Sequence, residues 1–140
     1  MLVSALDTNT ELKVLKGFLD ELCGGELEFV GFTDSGKLIG AAAERAFDAV
    51  YINLDYNAHD YRGSGELAAR SLFNSFRERP LNIIGVSDDK NIRYAELLID
   101  IYASSFIGKP YDREQLIDTL KHLRFPIRLR DRNNPYIRYL

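Results

Sequence analysis

Asp7, Asn53, Asp55, Ser87 and Lys109 each stand at or just after the end of a short apolar run, and together they could handle a phosphoryl group. Carboxylates at two neighbouring strand ends, such as Asp7 and Asp55, would hold a hard divalent cation like magnesium, which prefers oxygen ligands and keeps several waters. Lys109 could neutralise a phosphoryl group, and the Ser87 hydroxyl could hydrogen-bond one of its oxygens. Phosphoryl transfer onto a carboxylate uses such a set, because positioning and charge neutralisation supply most of the catalysis.

Those residues need elements to bring them together. Apolar runs rich in Val, Ile, Phe or Tyr occupy 2–6, 27–32, 49–54, 83–87 and 105–108. They lack period-two alternation, as strands buried on both faces do. Between them lie helical stripes: Leu12, Leu15, Leu19 and Leu22; Tyr94, Leu97, Leu98 and Ile101; and Leu116, Ile117, Leu120 and Leu123. Residues 36–46 and 65–78, the latter around Leu67, Leu72 and Phe76, are further helix candidates. Thr8 with Glu11 and Asp112 with Gln115 have capping-box spacing, and Pro80 marks a stop. The expectation is a doubly wound five-stranded parallel sheet with five flanking helices, whose working site lies at the carboxyl ends of the strands.

Composition narrows the classes. The 140 residues carry 18 basic and 21 acidic side chains and are 46% hydrophobic, which suits one soluble globular domain. A single cysteine, Cys23, excludes an internal disulfide framework, and two distant histidines, His59 and His122, argue against a histidine metal cluster. No apolar run approaches the roughly 20 residues of a membrane helix. A cytoplasmic protein with no membrane association is expected. Residues 124–140 hold five arginines against one aspartate, a balance of +4, while the other residues hold 13 basic and 20 acidic side chains, a balance of −7. The body is therefore not expected to bind nucleic acid directly.

The segment Ser104-Ser105-Phe106-Ile107-Gly108-Lys109-Pro110-Tyr111, followed by Asp112-Arg113-Glu114-Gln115-Leu116, resembles the lysine–proline signature and last helix of the receiver domains of two-component response regulators. The resemblance covers about residues 1–123 and implies a flavodoxin-like, receiver-type fold. It implies that Lys109 is the phosphate-binding lysine, that the Lys109–Pro110 peptide is cis, that Ser87 is the switch hydroxyl and that Phe106 is the switch aromatic. It also implies a histidine kinase or other protein partner and a homodimer through the fourth helix, fifth strand and fifth helix.

Two departures stand out. The third run leads to Asn53 where the family has its phospho-accepting aspartate, and an amide has no anionic oxygen to attack phosphorus. After the first run Leu6 replaces the first of the family's two acids, while Asp7 retains the second. Magnesium binding is then weak or absent. The alternative is a register shifted by two residues, which keeps side-chain facing and makes Asp55 the acceptor, with Asp7 and Asp55 as metal ligands.

Bland roles stand beside these. Asp7 would be a helix-end charge or the ion-pair partner of Lys109, and Ser87 a turn residue. Phe106 and Tyr102 would be core or interface aromatics, Cys23 an inert thiol, His59 solvated, and Asp88 and Asp89 helix caps. Residues 124–140, with Pro126 and Pro135, read as a basic linker or the start of an output domain, expected to bind DNA. The expected function is an atypical receiver that is not an enzyme and signals through protein contacts. The alternative is a conventional magnesium-dependent receiver, phosphorylated on Asp55 by a histidine kinase and catalysing at most its own phosphorylation and dephosphorylation.

Overall fold

The computed structural model describes residues 1–24, 26–56, 65–76, 81–88, 105–121 and 123. Five strands form one parallel sheet: β1 (Leu2–Leu6), β2 (Glu28–Phe32), β3 (Ala49–Asn53), β4 (Ile83–Ser87) and β5 (Ser105–Gly108). Among the described residues four helices accompany them: α1 (Asn9–Cys23), α2 (Ser35–Glu44), α3 (Gly65–Ser75) and α4 (Arg113–Lys121). The helix expected through 94–101 lies outside the described residues. So do His59, Asp89, Tyr102, His122, the stretch 57–64 and the basic segment 124–140.

The strands are ordered β2-β1-β3-β4-β5. From the β1 end the chain moves outward to β2, then returns to the other side of β1 to make β3. Strand order reverses there, so the carboxyl ends of β1 and β3 flank the crevice of a doubly wound sheet. Register sets the depth of each end: Leu6 pairs with both Phe32 and Ile52, Asn53 with Val86, and Ser87 with Gly108.

β1, β3 and β4 are buried along their whole length, which is why their sequences show no polar alternation. Val3, Ala5, Tyr51, Ile84 and Val86 face a cluster with Leu15 and Leu19 of α1 and Leu116 and Leu120 of α4. Leu2, Leu6, Val50, Ile52 and Ile83 face the other cluster, with Leu38 of α2 and Leu72 of α3. Each of these large apolar side chains contributes about 1.5–3 kcal/mol on burial. A polar group sits inside the first cluster: the Tyr51 phenol is buried with no hydrogen-bond partner for its Oη among the described residues. Burial, and secondarily Cys23, push its pKa above the ordinary tyrosine range.

The helix ends follow local chemistry. Thr8 caps α1, its hydroxyl accepting from Glu11 N at 3.3 Å, and Gly24 ends the helix at φ 58°, a left-handed conformation that glycine adopts without a Cβ penalty. Asp34 caps α2 through Lys37 N at 3.0 Å. Before α4, Asp112 accepts from Glu114 N at 2.9 Å, one residue short of the Gln115 expected from the box spacing. Leu67 is 48% exposed, because α3 turns Ala68, Ala69 and Leu72 inward instead. Cys23 is buried at the last turn of α1, and its thiol is pushed up to about 11, chiefly by burial. The Lys109–Pro110 peptide is cis.

Candidate functional site

The carboxyl ends of β1, β3 and β4 and the residue after β5 converge on one hydrogen-bonded cluster. Asp7 follows β1 and is only 3% exposed. Its Oδ1 accepts from Asn53 Nδ2 at 2.9 Å and from Thr8 N at 2.8 Å, and its Oδ2 accepts from Lys109 Nζ at 2.6 Å. Asn53 and Lys109 are each 8% exposed. The ion pair is thus buried and hydrogen-bonded on both sides, the condition under which such a pair is tolerated away from water. Glu11, from the first turn of α1, brings a second carboxylate to 3.5 Å from Lys109 Nζ.

Asn53 is a hub. Its Nδ2 donates to Asp7, while its Oδ1 accepts from the backbone N–H of Asp55 at 3.0 Å, so both ends of the amide are assigned by their partners. Asp55 lies in the turn beyond β3 and is exposed. Its Oδ2 accepts from the Ser87 hydroxyl at 2.5 Å and from Asp88 N at 3.1 Å. One carboxylate oxygen therefore collects a hydroxyl and a backbone donor at the end of β4. Ser87 is fully buried, and its carbonyl accepts from Lys109 N at 2.9 Å. Phe106 is half-buried on β5, packed against the cluster beneath α2 and α3 and apart from the polar group.

All five sequence-predicted polar residues therefore come together, in two linked subclusters: Asp7, Asn53 and Lys109, and Asp55 with Ser87. β3 ends at Asn53, which pairs with Val86, so Asp55 stands two residues beyond the strand. In this register Asn53 occupies the buried strand-end position.

The donor set is a poor one for a magnesium ion, which is usually held by one or two carboxylates together with several waters. Both oxygens of Asp7 are already used by three donors, one of them an ammonium, and residue 53 is neutral. Leu6, at the position of the missing acid, is fully buried in the apolar cluster with Leu38 and Ile52. Among the described residues no group of three or more His, Cys, Asp or Glu side chains could hold a metal.

Sequence reasoning missed three participants. Glu11 was read as the partner of a helix cap, yet its carboxylate faces Lys109. Tyr111, which follows the cis proline, is buried, and burial with Asp7 nearby pushes its phenol above the usual range. Gly65, at the start of α3, lies directly on the end of β3: a Cβ there would stand 1.8 Å from the Asn53 carbonyl oxygen. A glycine opening a helix after a long loop is the only signal the sequence offered for that contact.

No protein-family model matches the chain, and no curated protein matches it. Solved structures do match, and several are receiver domains. NtrX from Brucella abortus, in complex with ATP, superposes with a TM-score of 0.72 at 21% identity, covering 86% of this chain and 26% of that one. The chain thus spans about a quarter of the NtrX length. The receiver domain of the sensor histidine kinase PA1611 from Pseudomonas aeruginosa, with a magnesium ion in its active-site cleft, gives 0.67 at 16% identity and 86% and 94% coverage. The chemotaxis protein CheY4 of Vibrio cholerae gives 0.72 at 15% identity and 87% and 97% coverage. The fold is the flavodoxin-type fold of response regulator receiver domains. No helix among the described residues is long and apolar enough to cross a membrane.

Proposed function

We propose that this chain is an atypical receiver-type domain that relays a signal by protein–protein contacts and is not phosphorylated at the third strand end. One observation carries the reading: at the buried strand-end position Asn53 donates a hydrogen bond to Asp7 instead of offering an anionic oxygen. An amide there cannot form an acyl phosphate. The lysine that would neutralise an incoming phosphoryl group is held by Asp7 at 2.6 Å, and magnesium finds only a poor ligand set. The domain then catalyses no phosphoryl transfer of its own.

In this reading Asp55 supplies internally the negative charge at the end of β4. Its carboxylate holds the Ser87 hydroxyl and the Asp88 amide together, so the loop ends are organised without modification. Edge strand β5 and helix α4 form part of the surface offered to a partner, a second copy or a tethered output domain, with DNA binding as the output we favour. The large size of the NtrX chain relative to this one supports tethering as a design.

The competing reading uses Asp55 as a conventional acceptor, and its carboxylate beside Ser87 is the observation in favour. Incubation with acetyl phosphate and magnesium, followed by intact mass, separates the two. The expected result is an unchanged mass. A phosphoryl adduct abolished by Asp55→Ala would establish the conventional receiver and overturn ours.

A further inference from the structure

Lys109, Asp7 and Asn53 form a geometry whose chemistry differs from phosphoryl transfer. A buried amine and a buried carboxamide share one carboxylate: Asp7 Oδ2 takes Lys109 Nζ at 2.6 Å and Oδ1 takes Asn53 Nδ2 at 2.9 Å. The oxygen of the same carboxamide faces a backbone donor, Asp55 N, at 3.0 Å. A nucleophile and an electrophile are thus held on the two oxygens of one proton carrier, with a backbone donor beside the oxygen where charge would develop, in a site from which water is largely excluded. We propose that Lys109 and Asn53 join through an intramolecular isopeptide bond made by the chain itself, with Asp7 as the catalytic proton carrier.

The step balances without any co-reactant. The Lys109 ammonium passes a proton to Asp7 Oδ2, and the freed lone pair on Nζ attacks Asn53 Cγ. Charge develops on Asn53 Oδ1, which the Asp55 N–H stabilises. Asp7 delivers its proton from the Oδ1 side to Nδ2 and takes the second proton from Nζ. The Cγ–Nδ2 bond then breaks, the nitrogen leaves as ammonia and takes up that proton from Asp7. An ammonium and a primary amide become a secondary amide and an ammonium ion, and Asp7 ends as a carboxylate. Lysine amines are established nucleophiles toward carbonyl carbon once desolvated or deprotonated by a neighbouring base. The exposures of 3% for Asp7 and 8% for each partner disfavour hydrolysis as the competing path. The product would clamp the β3 end to the residue after β5.

Intact mass of the full chain, incubated folded and then denatured, decides the matter. The expected result is a mass below that of the sequence by one ammonia. A digest should then contain a branched peptide carrying residues 53 and 109. Lys109→Met, Asn53→Ala and Asp7→Ala are each expected to show the full sequence mass. Because the wild-type chain is read directly, misfolding of a variant leaves the test intact. A wild-type mass equal to that of the sequence overturns the proposal, as does a one-ammonia loss that persists in Lys109→Met, since that loss would come from elsewhere. The measurement is independent of the acetyl phosphate result and of any partner.

Discussion

Replacing Gly65 by alanine sets two effects of opposite sign against each other, and the structure decides which wins. At an exposed helix position the change would stabilise, through helix propensity by at most about 1 kcal/mol and through the unfolded chain by about 0.4–1 kcal/mol. Gly65 is not such a position. It is buried, and a Cβ would meet Asn53 O at 1.8 Å, Asn53 C at 2.8 Å and Leu54 Cα at 3.1 Å, all of them backbone. Relief requires a shift of α3 away from β3, because the β3 backbone is anchored by Leu54 N to Val86 O at 2.8 Å. That shift strains or breaks the bond from Gly65 N to Tyr56 O, now 2.8 Å, at a cost of about 0.5–1.5 kcal/mol. Overpacking adds about 1–3 kcal/mol. Against the gain, the net expectation is a loss of about 1–3 kcal/mol. Urea unfolding followed by circular dichroism measures it, with an unchanged m-value showing that only stability moved. The Asn53 side-chain amide resonances should shift as well, because the carbonyl that Gly65 contacts belongs to the same residue. A variant more stable than the parent, with unmoved Asn53 resonances, would refute the close approach and with it the claim that α3 braces the site.

Three further outcomes follow from the same geometry. Tyr51→Phe should raise stability by about 1 kcal/mol, since removing a buried hydroxyl that has no partner among the described residues forfeits no hydrogen bond; a loss in thermal or urea unfolding would mean the hydroxyl is satisfied. A double-mutant cycle on Asp55→Ala and Ser87→Ala should give a coupling of about 0.5–1 kcal/mol, modest because Asp55 is exposed; additive effects would remove Asp55 from its role at the β4 end. Cys23 should resist alkylation in the folded chain and react quickly once urea unfolds it, because burial pushes the thiol from 9.0 to about 11. The sign for stability follows: the folded state keeps the proton longer, so this contribution is complete below pH 9.0 and fades as pH rises through about 11.

The strands were legible because their burial is written in composition. Runs such as 49–54 are apolar on successive residues, and only a sheet covered on both faces asks for that. The boundaries moved by one residue, as at Leu54, which stands in the turn after β3. The helix at 65–78 was legible too, but which of its residues face inward was not: Ala68, Ala69 and Leu72 are buried and Leu67 is exposed. The cleft residues were legible as a set, since parallel strands must deliver their carboxyl ends to one edge.

Their partnerships were not. By sequence alone, Asp7, Asn53, Asp55, Ser87 and Lys109 are five polar residues near strand ends, and residue 53 is an amide whatever the fold. Hydrogen bonds between residues 46 and 102 positions apart depend on the register of β1 against β3 and on where the chain stands after β5. That register gives Asp7 to Lys109 and Asn53 together, and turns Asp55 toward Ser87. The sequence determined which chemistry is missing, an anionic oxygen at position 53; only the tertiary structure decided which groups meet in its place, because contact between distant residues is a property of packing and not of order along the chain.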